Sequence, residues 1–400
     1  MKLSVCCGNG KMGGIIIMMS VSKYVTPEII FGCGAMSQVG ESALRLGASK
    51  VLVVSDKGVI NAGWVERALD YLKAAGLQYE VFSDLTSNPK DCEVVNGLKK
   101  YLEANCDSIM AVGGGSPTDV AKVIAVLSTN GSTIQAYEGI NKINKPLPPI
   151  LAVPSTAGAG SEVTQFAIVV DKKRKLKMTI ISKSLVPDIA IIDPELLQTK
   201  SSILTATTGI DTLSHAIESF VSLAATPLTE VYALNAARLI SRNLMESVAC
   251  RTNMKAKTNM SMACLQAALS FSNAILGATH AMVHQVDGLL DTHHGLSNAC
   301  ILPNVMEYNL IACPRKYKQI AEALGENTTG LSVWSAAEKA IKAVRQLITN
   351  VGLGLGLSKV GLKEEFLPEL SQNALRDACL ITNPRDTDEN DIMNIFRKSM

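Results

Sequence analysis

The sequence predicts an α/β N-terminal domain built on a parallel, Rossmann-like doubly wound sheet, followed by an all-α C-terminal domain. Three observations carry that expectation. Runs of four residues rich in Val and Ile recur at 51–54, 109–112, 150–153, 167–170 and 189–192, the length and composition of buried strands. Amphipathic helical patterns such as 64–75 and 92–104 lie between the first of them, and this alternation implies parallel strands with ligands beyond their carboxyl ends. After about residue 200 the strand signals stop, and 205–223, 228–250, 256–275, 315–324, 333–350 and 389–397 repeat apolar residues at three- and four-residue spacing. A chain of 400 residues exceeds the roughly 250–300 that one core sustains. The expected division is a leader at 1–22, an α/β domain at 23–201 and a helical domain at 202–400.

Taken in order, the leader carries only a five-residue apolar run at 15–19, short of the roughly 7–15 of a secretory segment, and Met19 is an alternative start. The strand at 51–54 ends at Asp56, where dinucleotide folds place a carboxylate on the adenosine ribose hydroxyls; an aspartate that merely starts a turn is the plainer alternative. A carboxylate there would repel the 2′-phosphate of NADP. The next strand feeds Gly113, Gly114 and Gly115, then a helix start with Ser116 as N-cap, Pro117 at the first helical position and Asp119 at the third. Glycines let the backbone approach an anion that the free N–H groups of the helix start then hold, so this loop reads as a phosphate cradle; for Asp119 a simple capping box is the alternative. Residues 154–162 offer hydroxyls among small residues after another strand, suited to a loop against a cofactor. The basic run at 172–177 reads as a solvated hairpin, and the Gly-alternating stretch at 351–357 as a connecting loop.

Composition excludes several function classes. With 47% hydrophobic and 18% charged residues the chain is globular rather than disordered. Its 38 basic and 36 acidic side chains leave no excess for neutralising phosphates, so nucleic acid is not an expected partner. No apolar run approaches the roughly 20 residues of a membrane span. Ten cysteines without a C-x-x-C pair point to a reducing cytoplasm.

All five histidines fall between 215 and 294. Asp211 and His215 are four apart on one helical face, as are His280 and His284, and His293 and His294 follow. One carboxylate with imidazoles suits Fe²⁺ or Zn²⁺, and the absence of Glu after His280 argues against a zinc protease.

The segments Gly113-Gly-Gly-Ser-Pro-Thr-Asp119, Pro154-Ser-Thr-Ala-Gly-Ala-Gly-Ser-Glu162, Gly209-Ile-Asp-Thr-Leu-Ser-His-Ala-Ile-Glu218, His280-Ala-Met-Val-His284, His294-Gly295 and Asn383-Pro-Arg385 together resemble the iron-containing alcohol dehydrogenases. The resemblance implies Asp211, His215, His280 and His294 as ligands of one divalent metal, Fe²⁺ or else Zn²⁺. It implies His284 as a proton-relaying histidine near the nicotinamide, with His280 also in the catalytic set. For NAD it implies Asp56, Gly114, Gly115, Ser116, Asp119, Thr156 and Lys177. That family usually has Pro at the position of His293, which leaves a further imidazole near the mouth of the site, able to meet a polar substrate.

The resulting expectation is an NAD-dependent, metal-dependent alcohol dehydrogenase acting on a small primary alcohol or diol and its aldehyde, cytoplasmic and homo-oligomeric. The metal would act as a Lewis acid on the alcohol oxygen. The alternatives are a glycerol dehydrogenase-like polyol oxidoreductase or dehydroquinate synthase on the same fold, a metal-dependent hydrolase without nucleotide, and a non-catalytic scaffold.

Overall fold

The computed structural model describes residues 23–354 and 356–400. The expected leader at 1–22 lies outside them. In the first half the chain runs through β1 (Glu28–Phe31), α1 (Val39–Arg45), β2 (Lys50–Val54), α2 (Lys57–Asn61), α3 (Trp64–Ala74), β3 (Gln78–Phe82) and α4 (Asp91–Glu103). It continues through β4 (Ser108–Gly113), α5 (Gly115–Asn130), β5 (Gly139–Ile140), β6 (Ile150–Pro154), β7 (Phe166–Asp171), β8 (Leu176–Ile181) and β9 (Ile189–Ile192). From Ser202 onward the described residues form only helices and short 3-10 turns: α6 (Ser202–Val221), α7 (Pro227–Ala249), α8 (Met254–Ala274), α9 (Ala278–Leu290), α10 (His294–Asn309), α11 (Pro314–Ala323), α12 (Val333–Asn350), α13 (Leu367–Arg376) and α14 (Glu389–Ser399).

Six strands form one parallel sheet in the order β1-β9-β6-β4-β2-β3. Because β3 lies on one side of β2 and β4 on the other, the winding reverses between β2 and β4, and the loops at their carboxyl ends open a crevice there. The central strands β4 and β6 are buried along their whole length, which is why they read as continuous apolar runs rather than alternating ones. The run at 167–170 belongs elsewhere: β7 pairs antiparallel with β8 in a separate three-stranded sheet. The turn at 172–175 is the solvated hairpin expected from the basic run, but Lys177 lies within β8 with a side chain only 7% exposed. In the helical half, residues of α6, α7, α8, α10, α11 and α12 share one apolar core. Phe166, Ile181, Ala190 and Ile192 from the sheets pack with Leu265, Leu269, Phe271 and Ala281 from α8 and α9, tying the halves together.

No single helix among the described residues is long and apolar enough to cross a membrane; α8 and α9, bent by 101° at the break between them, are packed into these cores.

On and beside α5 lies a buried cluster of charge. Lys122, with no exposed surface, donates from Nζ to Thr164 O at 2.8 Å, Thr164 Oγ1 at 3.2 Å and Phe166 O at 2.8 Å. Burial pushes Glu162 up to about 7 and Asp119 up to about 6, and pushes Lys122 down to about 8. Between the ordinary 4.5 and about 7, folded Glu162 retains a proton that the unfolded chain has released, so its contribution to stability falls as pH rises through that window. Glu162→Gln should therefore gain on the wild type progressively across the window and hold a constant difference above it. Urea unfolding at both ends of the window measures this; a pH-independent difference would contradict it.

Candidate metal centre and nucleotide groove

The crevice is a groove of about 540 Å³ lined by the loops after β2, β4 and β6. Asp56 takes the turn-starting role, its carboxylate accepting the N–H of Val59 at 3.0 Å as N-cap of α2, and it also lines the groove. The loop after β4 differs from expectation. The N-cap of α5 is Gly114, so Ser116 is the second helical residue and Pro117 the third, where its missing N–H is one of the four that the helix leaves unpaired. Ser116 donates instead to Ser87 O, which ties this loop to the one after β3. Asp119 is consequently the fifth helical residue and no capping box forms: Oδ2 accepts the Ile168 N–H at 3.1 Å, and Oδ1 is buried without a partner. Packing opposes a Cβ on Gly115, which would sit 2.9 Å from Ala159 Cβ, and leaves one on Gly114 tight, at 3.1 Å from Thr156 Oγ1. Gly114, Gly115, Ser116 and Thr156 all line the groove.

At its inner end the groove meets a cavity of about 130 Å³ between the sheets and the helices, and Gly115, Ser116, Asp211 and His294 line both. Asp211 and His215 project from α6, His280 and His284 from α9, and His294 from the first residue of α10. The Nε2 atoms of His215, His280 and His294 lie 3.7, 3.6 and 3.6 Å from one atom, Asp211 Oδ1. These separations are too long for hydrogen bonds. They fit the edges of a tetrahedron about a cation, whose ligand atoms at about 2.1 Å from the metal lie about 3.4 Å apart. His280 Nε2 is buried and has no other partner. Burial drives the His215 imidazole down to about 3, leaving its lone pair free for a cation. Burial alone would raise Asp211, but His215, His294 and His280 hold it well below the carboxylate range. The donor set fits a divalent metal.

Three of the imidazoles are braced at Nδ1 by carboxylates that sequence reasoning missed. Glu218 Oε2 lies 2.6 Å from His280 Nδ1, Asp287 Oδ2 lies 2.6 Å from His294 Nδ1, and Asp377 Oδ2 lies 2.9 Å from His284 Nδ1. Such partners fix the ring orientation and the tautomer that presents Nε2 to the centre. A signal existed for two of them: Asp211, His215 and Glu218 on α6, and His280, His284 and Asp287 on α9, both follow the i, i+4, i+7 spacing of one helical face. Lys177 Nζ reaches Asp287 Oδ2 at 2.8 Å and lines the inner cavity, so it braces His294 through a shared carboxylate. Asn88, also not anticipated, lines groove and cavity alike and donates to Asp291 Oδ1 at 2.7 Å. His293 is exposed as the N-cap of α10 and lines the outer groove, not the inner cavity.

A groove at the switch point of a parallel sheet, ending at a histidine–carboxylate cage, is the architecture of a metal-dependent, nucleotide-linked oxidoreductase. Family profiles agree: one described as iron-containing alcohol dehydrogenase matches residues 26–194, and one described as the C-terminal part of the Fe-containing alcohol dehydrogenase family matches 205–400. The chain belongs to the iron-containing alcohol dehydrogenase family. It is 44% identical over 379 residues to the 1,3-propanediol dehydrogenase of Citrobacter freundii, covering 94% of this chain and 98% of that protein. It is 38% identical over 377 residues to the NAD-dependent methanol dehydrogenase of Bacillus methanolicus, covering 94% and 99%. The crystal structure of a 1,3-propanediol oxidoreductase matches with a TM-score of 0.93 at 43% identity, over 95% of this chain and 100% of that one.

Proposed function

We propose that this alcohol dehydrogenase transfers hydride between NAD and a small primary alcohol or short diol, with 1,3-propanediol as the first substrate to test. The convergence of three imidazole nitrogens on one carboxylate oxygen, at the floor of a small cavity opening into the groove, carries this reading. Asp211, His215, His280 and His294 would hold the metal, Fe²⁺ by the family's character. When bound, it supplies Lewis acidity toward the substrate oxygen. Gly114, Gly115 and Ser116 receive the pyrophosphate, Thr156 packs beside them, and Asp119 and Lys177 border the nicotinamide end. Phe166, Ile168, Phe271 and Leu276 exclude water from the cavity, and its size limits the substrate to a few heavy atoms beside the nicotinamide. His284, with a buried and unpartnered Nε2, accepts the proton released by the alcohol. Cys33, Cys92, Cys106, Cys250, Cys264, Cys313 and Cys379 carry free thiols, in keeping with a cytoplasmic enzyme, and the exposed Leu223, Leu228, Val231 and Ile381 support a homo-oligomer.

A panel of alcohols, diols and aldehydes assayed with NAD and NADP, after reconstitution with Fe²⁺, Zn²⁺ or Mn²⁺, tests the proposal. NADH fluorescence should rise on binding. Failure to bind NADH would favour a metal-dependent hydrolase. Asp56→Gly should relax the preference for NAD mainly through cofactor KM, because the variant lacks the charge that repels a 2′-phosphate and the acceptor for the ribose hydroxyls. A wild type that already favours NADP would refute the role given to Asp56.

A further inference from the structure

We propose that Asp377 is the positioning residue that makes His284 a proton acceptor toward the inner cavity, an inference that rests on His284 being the proton relay proposed above. Asp377 precedes the 3-10 turn Ala378–Thr382 and lies 93 residues from His284 in the chain. His284 Nδ1 is 2.9 Å from Asp377 Oδ2, while the other carboxylate oxygen accepts the Cys379 N–H at 2.8 Å. The two side chains are 2% and 5% exposed, so water does not compete for these bonds.

Burial alone would raise the Asp377 carboxyl, but His284 and the Cys379 N–H outweigh it and hold the group below its ordinary range. An ionised carboxylate has no hydrogen to give, so Nδ1 carries the hydrogen and Nε2 keeps the lone pair. Nε2 is buried with no hydrogen-bond partner, and His284 lines the inner cavity beside His280 and His294, with ring centroids 6.1 and 5.8 Å away. The acceptor thus stands beside the metal cage without joining it.

In alcohol oxidation the carbinol C–H bond gives its electron pair and hydrogen to the oxidised nicotinamide. The O–H bond gives its proton to His284 Nε2, and the C–O bond becomes the carbonyl. The imidazolium then carries hydrogen on both nitrogens, and the Asp377 carboxylate stabilises that cation. In aldehyde reduction the same proton returns.

Asp377→Asn separates this role from a structural one, because Asn is also a good N-cap. The fixed Cys379 N–H selects the oxygen of the new amide. Gln285 Nε2, 3.4 Å from the position that faces His284, already donates to Ala281 O at 3.1 Å and so keeps a partner when that position becomes a nitrogen. The amide nitrogen then faces His284 Nδ1, which must accept, and Nε2 receives the hydrogen. That tautomer cannot take a proton from the alcohol.

The test compares wild type, Asp377→Asn, His284→Ala and the double variant, each loaded with the same metal. Asp377→Asn should keep wild-type metal content, NADH affinity and unfolding midpoint, while kcat falls by roughly 10²–10⁴-fold. The same change in the His284→Ala background should cost nothing further. With only five histidines in the chain, ¹⁵N-histidine NMR of the Zn²⁺-loaded protein reads the tautomer directly, and the signal absent from His284→Ala should move its hydrogen from Nδ1 to Nε2 in Asp377→Asn. Additive losses, loss of metal, or an unchanged tautomer would overturn the role of Asp377. An impaired His284→Ala beside a fully active Asp377→Asn would overturn the positioning role alone, whereas a fully active His284→Ala would overturn the relay itself.

Discussion

Asp211→Ala should leave the protein folded, without tightly bound metal and without measurable turnover. The expectation follows from the place of Asp211 Oδ1 as the one atom that three imidazole nitrogens approach within 3.7 Å. Removing it deletes the only anionic ligand and leaves three neutral donors. Loss of affinity should exceed the roughly 10–100-fold typical of partners outside the ligand set, and activity should fall in step with metal content. His215→Ala, His280→Ala and His294→Ala should behave alike. Metal binding should also strengthen with rising pH: burial opposes charge on His280, but Asp211 and Glu218 carry its imidazole up to about 9, so an entering cation displaces a proton there. Elemental analysis of the dialysed variants decides the matter. Full metal occupancy in Asp211→Ala would place the metal elsewhere.

Gly295→Ala should be strongly damaging although it removes no functional group. A Cβ at this position would overlap Thr207 O and lie 2.5 Å from Thr207 C, so the start of α10 rests directly on the backbone of α6. Backbone cannot swing aside as a side chain can. Overpacking a core usually costs about 1–3 kcal/mol, and this contact should reach or exceed the upper end. The damage should also appear in the metal, because α10 begins with His294 while α6 carries Asp211 and His215. Pushing the helices apart separates ligands that must stay within a few tenths of an ångström of place. Gly354→Ala, where the nearest atom is Thr349 Oγ1 at 3.7 Å, provides the control and should change stability by no more than about 0.5 kcal/mol. Urea unfolding with a metal titration measures both effects. Equal behaviour of the two variants would contradict the close approach.

Much of the candidate metal centre was legible in sequence because four of its five side chains come in helical pairs. Spacing of four residues places Asp211 with His215, and His280 with His284, on single faces whatever those helices pack against. The supporting carboxylates Glu218 and Asp287 share those faces at i+7, so they too lay within reach of the same rule. The buried strands of the parallel sheet were visible for a comparable reason, since a strand covered on both sides must be apolar throughout.

The failures also have physical causes. Ser116 and Pro117 form a good local start signal, yet α5 begins one residue before Ser116, with Gly114 as N-cap and Gly115 packed closely against Ala159 of another loop. The run at 167–170 has the composition of a parallel core strand, but burial by neighbouring helices produces that composition in a hairpin as well.

Periodicity thus encodes buried strands, helix faces and the side chains that share them. Tertiary structure alone decided which face meets which. Three imidazoles from α6, α9 and α10 converge on one oxygen only because those helices pack together, and Asp377 reaches His284 across 93 residues of chain. No local rule relates positions so far apart; their distance is set by the packing of every element between them.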